Sequence, residues 1–306
     1  MDPILHPIPR NVTVPEIALE TPDSTMVRIP DGIWTRIQKS VGLPKLTVRH
    51  FAKLGISKPC FLFRECVLEE GVVLDGEGGA GKSVALLLYV AQRLMAKKPV
   101  WYLPNLLRLT EAYYPFYPKG ESFYEQPELK EELLESYARL NDIQKPSTLF
   151  ENTDSEAVLV VDQVNCLLKP TMYKDPDGNS VPVEQMEVLK ELMEAMKSIP
   201  FIAATSYSSL RFRSTPWHQS QVKALPPLKL SQIDALLQYY YQQGIIQTEP
   251  KDLYNRRMEF LSGGLPEELF AVAQFDLLYG KTADMGPPKI LTHTTDFAVI
   301  NKDRQI

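Results

Sequence analysis

The stretch "VVLDGEGGAGKSVALLL", Val72 to Leu88, constrains the fold more than any other part of the sequence, because it places four glycines within six positions between two apolar runs. The β-branched run before the glycines predicts a buried strand, and the longer apolar run after them predicts a helix. Gly76 to Ser83 matches the pattern GxxxxGK[ST] in this strand–turn–helix context. The stretch therefore predicts a phosphate-binding loop (P-loop). The alternative is a glycine-rich turn that carries a Lys-Ser pair by chance.

In a loop of this kind, glycines allow the backbone to curl so that successive N–H groups point at phosphate oxygens. The following helix adds the positive end of its dipole. Lys82 would reach the outer phosphates, and the Ser83 hydroxyl would bind Mg²⁺. The predicted nucleotide-binding residues of the loop are Gly76, Glu77, Gly78, Gly79, Ala80, Gly81, Lys82, Ser83 and Val84.

A second apolar run, "AVLVVD" at 157–162, ends in Asp162. An aspartate at the end of such a strand is typical of P-loop proteins, where it helps to hold the metal. The sequence therefore predicts Ser83 and Asp162 as Mg²⁺ ligands. An aspartate that only caps a turn after the strand is the alternative.

The residue after Asp162 bears on catalysis. Many P-loop ATPases carry a glutamate there as the base that polarises the attacking water, whereas this chain has Gln163, whose amide is a poor proton acceptor. We expect little or no hydrolysis and assign no catalytic residue, although the amide of Gln163 could still orient a water. The GTPase pattern DxxG is absent because Asn165 stands at its fourth position, and "NKDR" carries Arg304 where NKxD requires an aspartate.

Two further positions are candidates for nucleotide contact. Thr205 and Ser206 follow the apolar run "FIAA", where a polar sensor of the outer phosphate would lie, although two ordinary hydroxyls are an equal alternative. Pro266, in "SGGLPEEL", is a further candidate or simply a good helix start. Arg211 and Arg213 are better explained as solvated arginines than as phosphate ligands.

Strand and helix patterns alternate through the first two thirds of the chain, which predicts an α/β fold with a parallel sheet and right-handed crossovers. Strands are predicted at 72–75, 99–104, 157–162 and 201–206, and helices at 82–96, 127–141 and 181–198. We expect a three-layer P-loop core followed by a small helical lid, with an extended arm and a tail. The predicted domains are an arm with a short helix (1–45), a nucleotide-binding domain (46–225), a helical lid subdomain (226–280) and a C-terminal tail (281–306).

Composition narrows the function classes. Lys and Arg number 33 against 38 Asp and Glu, a net charge of -5, which argues against a protein that mainly coats nucleic acid. No apolar run approaches the roughly 18 residues of a membrane span. The three cysteines and four histidines form neither a disulfide framework nor a metal-binding pattern.

Three stretches together resemble the death-associated protein 3 family of mitochondrial small-subunit ribosomal proteins. They are "LDGEGGAGKS", "VLVVDQVNCLLK" and "LLQYYYQQGIIQ…FLSGGLPEEL". The similarity runs from about Thr47 to Tyr279. It implies a fold like that of AAA+ and STAND NTPases, in which a P-loop domain precedes a helical lid and the proline corresponding to Pro266 packs near the nucleotide base.

The resemblance also implies a function. Members of this family bind GTP and lie in the head of the mitoribosomal small subunit, near its contact with the large subunit. It implies a protein of the mitochondrial matrix that contacts other small-subunit proteins, small-subunit rRNA peripherally, and large-subunit proteins across the intersubunit bridge. The basic N-terminal transit segment of the family is not visible in this chain.

Two functional hypotheses follow. The first is a structural ribosomal component that holds a purine nucleotide, GTP/GDP or ATP/ADP, with Mg²⁺ and turns it over slowly or not at all. The second is an active STAND-type ATPase that switches a signalling assembly. A metabolic kinase is less favoured, because no acceptor-binding motif is evident.

Overall fold

In the computed structural model, the residues described are 13–43, 59–64, 70–120, 123–150, 156–206 and 222–279. The strands in chain order are β1 (Thr25–Arg28), β2 (Cys60–Phe63), β3 (Val72–Asp75), β4 (Val100–Leu103), β5 (Tyr117–Pro118), β6 (Tyr124–Glu125), β7 (Val158–Asp162), β8 (Phe201–Ala204) and β9 (Val222–Ala224).

The helices in chain order are α1 (Asp31–Ser40), α2 (Lys82–Met95), α3 (Leu107–Thr110), α4 (Pro127–Asn141), α5 (Glu187–Ser198), α6 (Leu230–Gln242), α7 (Asp252–Ser262) and α8 (Pro266–Tyr279). Two 3₁₀ turns, Val164–Leu168 and Val183–Gln185, precede α5. Within the described ranges, no helix combines the length and the apolar character that crossing a bilayer requires.

A five-stranded parallel sheet organises the fold, with the strand order β4-β7-β8-β3-β9. The strands β4, β7 and β8 are buried along their whole length, as apolar runs in a parallel sheet are when both faces are covered. The predicted α/β class is confirmed, and the four predicted strands are β3, β4, β7 and β8. The edge strand β9 is three residues long and includes Lys223, so its sequence carries little strand signal.

Helices cover the two faces of the sheet. On one face, Ile37 of α1 and Leu86 of α2 belong to a buried cluster with alternate side chains of the strands. On the other face, Leu129 of α4 and Leu189 of α5 join the opposite set of strand side chains. This arrangement of helices around the sheet is compatible with the predicted three-layer fold.

Two of the three predicted helices in this part of the chain agree closely with the structure: α4 spans the predicted 127–141, and α2 ends one residue before the predicted 96. The third prediction, 181–198, is too long. Pro182 and the extended backbone of Met186 (φ -91, ψ 121) flank the short 3₁₀ turn, so the α-helix begins only at Glu187.

Residues 13–43, which fall in the predicted N-terminal arm, pack on the face of the sheet that α2 covers. Strand β1 pairs antiparallel with β2, and the backbone N–H of Ile17 donates to the carbonyl of Arg28 at 2.9 Å. Ile17, Val27 and Ile29 are buried in the same cluster as α2. The rest of the predicted arm lies outside the described residues.

The predicted helical subdomain, 226–280, contains α6, α7 and α8, and no strand occurs in its described part, which ends at residue 279. These helices share a third buried cluster that includes Leu237, Met258 and Leu269. The predicted tail at 281–306, together with Arg211 and Arg213, lies outside the described residues.

Candidate functional site

The glycine-rich loop, residues 76–81, connects the carboxyl end of β3 to the start of α2. Gly76 has φ +123, and a Cβ there would lie 3.2 Å from the carbonyl oxygen of Leu225. Gly79 has φ +76, and a Cβ there would lie 2.7 Å from the Cβ of Glu267. At both positions, any other residue would meet backbone strain and a close neighbour, so the tight turn requires glycine.

Lys82 is the first residue of α2, and its side chain folds back over the loop. Its ammonium Nζ donates to the carbonyl oxygens of Gly76 at 2.8 Å and Glu77 at 2.7 Å. The residue is only 6% exposed, and this burial lowers the lysine pKa, against the raising effect of nearby Asp75, Asp162 and Glu77. The loop therefore holds a desolvated cation among carboxylates.

Asp162 ends β7 directly beside this lysine. The residue is 3% exposed, and burial raises the pKa of its carboxyl to about 6. The Ser83 hydroxyl, the backbone N–H of Gln163 at 2.9 Å and the charge of Lys82 all oppose that rise. The structure thus places the two predicted metal ligands, Ser83 and Asp162, in contact.

Ser83 and Asp162 supply only two side chains as ligands for a metal ion, so the rest of its ligands would have to come from elsewhere. Among the described residues, no group of three or more His, Cys, Asp or Glu side chains could hold a metal ion. Mg²⁺ in nucleotide sites is bound by one or two protein oxygens together with phosphates and waters. A hydroxyl and one buried carboxylate fit that pattern.

Gln163 occupies a strained backbone position, with φ 64 and ψ 37 in the left-handed region. Its side-chain Oε1 is buried and has no hydrogen-bond partner among the described residues. Non-glycine residues held in this region cluster at functional sites, because the surrounding structure must offset their strain.

The two predicted sensor residues form hydrogen bonds with a side chain at the end of β3 and with one in the turn after β7. Thr205 donates to Oδ1 of Asp75 at 2.7 Å. Ser206 donates to Oδ1 of the buried Asn165 through both its backbone N–H, at 2.7 Å, and its hydroxyl, at 3.1 Å. The sequence analysis compared Asn165 only with the GTPase pattern, and nothing local in the sequence signals its contact with Ser206, 41 positions away.

The start of α8 reaches the loop from the helical region. Pro266 Cγ would lie 3.7 Å from a Cβ at Gly81, and the backbone N–H of Glu267 donates to the Gly79 carbonyl at 3.3 Å. Arg64, which follows β2, donates to the carbonyl of Ala80 at 3.0 Å and to that of Pro226 at 2.6 Å. Sequence analysis missed Arg64 and Glu267, because their contacts with the loop depend on tertiary packing.

A cavity of about 1000 Å³ opens beside these groups, at the upper end of the size range of ligand pockets. Its polar lining, which we call the polar end, comprises residues 78–84 of the loop and the first turn of α2 together with Asp162, Gln163, Thr205 and Ser206. Gly76 and Glu77 are not part of its lining. Its apolar lining from β2, α6 and α8, which we call the apolar end, includes Phe61, Leu62, Leu236, Tyr240 and Phe270. The arrangement can hold an anionic group at one end and an apolar, flat group at the other.

No protein-family model matches this sequence, and no curated protein matches it significantly.

Proposed function

We propose that the glycine-rich loop is a P-loop and that the protein binds a purine nucleotide with Mg²⁺ as a largely structural ligand. One observation carries the proposal: Lys82, Ser83 and Asp162 converge beside the loop and line one cavity. The nucleotide is GTP/GDP or ATP/ADP.

The polar end would bind the phosphates. Lys82 would exchange its two carbonyl partners for phosphate oxygens, and the N–H groups of the loop and of the first turn of α2 would donate to them. Ser83 and Asp162 would hold Mg²⁺, which supplies positive charge against the phosphates. The nearby carboxylates then keep the ammonium charged in its buried position.

The apolar end would bind the purine base. Helices α6, α7 and α8 would act as the predicted lid, because α6 and α8 contribute Tyr240 and Phe270 to the wall and α8 begins against the loop with Pro266. Pro266 would pack near the base, as the resemblance to STAND proteins implies.

Slow turnover follows from Gln163. The side chain at the usual base position is an amide, so a general base that contributes about 10²–10⁴-fold is missing. An active STAND-type ATPase switch is the second candidate, and one observation favours it. The Oε1 atom of Gln163 lies buried without a partner among the described residues, and an amide in that position could orient a water.

The cellular proposal rests on the family resemblance. We place the protein in the small subunit of the mitochondrial ribosome, in the matrix, among other small-subunit proteins, peripheral rRNA and large-subunit proteins across the bridge. The acidic balance of the chain, with net charge -5, suits contacts with proteins more than with rRNA. Co-sedimentation of the tagged protein with mitochondrial small subunits tests this part, and its absence from those particles would contradict it.

The nucleotide proposal is tested by denaturing the purified protein and identifying any released nucleotide by chromatography. If the purified protein releases no nucleotide, its binding of GTP and of ATP is measured by calorimetric titration in the presence of Mg²⁺. We expect near-stoichiometric binding of one purine. A folded protein that neither releases nor binds a nucleotide would overturn the proposal.

A further inference from the structure

The carboxylate of Glu267 lies against the glycine-rich loop. An atom added at the Cβ position of Gly79 would be 2.9 Å from its Oε2. Glu267 and the loop residues 78–83 line the same cavity. A negative side chain from α8 therefore stands at the end of the cavity where the proposed function places phosphates.

This carboxylate enters a site that is already acidic. Asp75, Asp162 and Glu77 all act on Lys82. Glu267 is exposed, so solvent screens its charge, but like charges a few ångströms apart still repel. Phosphates at the loop would therefore repel the side chain of Glu267.

Backbone hydrogen bonds join the start of α8, where Glu267 lies, to the loop and to the segment before α6. The backbone N–H of Glu267 is bonded to Gly79, and Gly264, two residues before α8, accepts a hydrogen bond from Leu228 at 2.7 Å, just before α6. The Glu267 side chain therefore projects from the point at which α8 is bonded to the loop.

We propose that Glu267 is a built-in competitor of phosphate, whose carboxylate lies against the loop and is displaced when a nucleotide binds. This inference rests on the proposed function and adds its regulation. Because coupling between two states is reciprocal, anything that turns the Glu267 side chain away from the loop strengthens nucleotide binding.

A simpler explanation is that Glu267 only stabilises α8, since an acidic residue in the first turn interacts favourably with the helix dipole. Glu268 provides the matched control. It lies in the same turn and carries the same charge, but it does not line the cavity. A dipole effect alone would make the two residues equivalent.

The experiment measures the Kd of GTP and ATP, each with Mg²⁺, for wild type, Glu267→Gln and Glu268→Gln at low and high salt. Glu267→Ala serves as a second neutral variant, and urea unfolding checks that each protein is folded. We expect Glu267→Gln to bind about fivefold more tightly than wild type, because an exposed carboxylate repels phosphate only modestly. The gain should shrink at high salt because screening weakens the repulsion. Glu268→Gln should stay within about twofold of wild type.

Each outcome is decisive. Binding by Glu267→Gln alone, or tighter binding by it than by the other two proteins, supports the inference. Equal affinities of wild type and Glu267→Gln, weaker binding by the variant, or an equal gain in Glu268→Gln overturns the inference and leaves the proposed function standing. Folded wild type and variants that all fail to bind nucleotide overturn the proposed function, and the inference with it.

Discussion

The two ends of the cavity are built in opposite ways. The polar end comes mainly from one continuous stretch, the loop and the first turn of α2, to which Asp162 is added. The apolar end is assembled from β2, α6 and α8, which lie far apart in the chain. The chemistry of the site is thus local in sequence, whereas the space for a ligand is created by tertiary packing.

The ends also differ in what they do for stability. At the polar end, burial lowers the pKa of Lys82 and raises the pKa of Asp162. Burial therefore disfavours the charged form of both side chains and costs stability. At the apolar end, Tyr240 and Phe270 pack edge to face with ring centroids 5.6 Å apart, a favourable contact between buried rings. The polar end therefore lowers the stability of the fold, and the apolar end raises it.

The largest expected effect is on binding at the polar end. Lys82→Ala should weaken nucleotide affinity by at least about 100-fold, because charge-assisted hydrogen bonds contribute about 1.5–3 kcal/mol each. Nucleotide content after purification and calorimetric titration measure the loss. Lys169→Ala is the control, since Lys169 lines the cavity but is exposed. Unchanged nucleotide content in Lys82→Ala would break the P-loop assignment.

The next effect is on stability at the apolar end. Phe270 is 6% exposed, so Phe270→Ala should lower the free energy of unfolding by about 3–5 kcal/mol through lost burial and a cavity. Urea unfolding without nucleotide measures it. Phe260→Ala makes the same substitution at a side chain that is 86% exposed and should cost no more than about 0.5 kcal/mol. Similar losses in both variants would show that the apolar end does not carry the stability.

Asp162 predicts a pH dependence of comparable size. Its folded pKa, about 6, lies above the ordinary value of 3.8, so the folded state binds the proton more tightly than the unfolded state. Stability from this group is full below about pH 4 and is lost as the pH rises through 6, by about 3 kcal/mol in total.

Asp162→Asn cannot ionise and should escape this loss. The variant should therefore gain stability relative to wild type between pH 4 and pH 7.5, when both are measured without nucleotide and Mg²⁺. Parallel pH profiles of the two unfolding free energies would show that the buried carboxylate does not weaken the fold.

The smallest effect is on turnover. Gln163→Glu would place a nearly isosteric carboxylate at the usual position of the general base and should speed single-turnover hydrolysis of ATP or GTP at least about tenfold. ATP and GTP are both tested with each protein. Brisk hydrolysis by wild type that the substitution slows would instead favour the active switch, with Gln163 orienting the water.

This contrast explains how much the sequence could predict. The strands β3, β4, β7 and β8, the helices α2 and α4, and the meeting of Ser83 with Asp162 follow from local patterns, because apolar runs and fixed spacings carry them. Arg64, Asn165 and Glu267 could not be found in that way. Each contacts a residue remote in the chain, so its place depends on how whole segments pack.

The edge strand β9 and the pair β1–β2 escaped prediction for a related reason. β1 and β9 each include a basic residue, Arg28 or Lys223, and β2 is defined by its pairing with β1. Without that partner, "CFLF" at Cys60–Phe63 is only a short apolar run. The part of the apolar end that β2 supplies therefore became visible only in three dimensions.

The strand order has a consequence for how the protein is made. Strand β3, which leads into the loop, lies between β8 and β9, and both are synthesised long after it. On the ribosome that makes this chain, the loop therefore emerges early, but β3 has no neighbouring strand until β8 is complete at residue 204. It has no second neighbour until residue 224, and the loop has no contact with α8 until residue 267. Distant parallel pairing is slow to form. A nucleotide would thus be captured at the last step of folding and, by binding only the finished fold, would make that step harder to reverse.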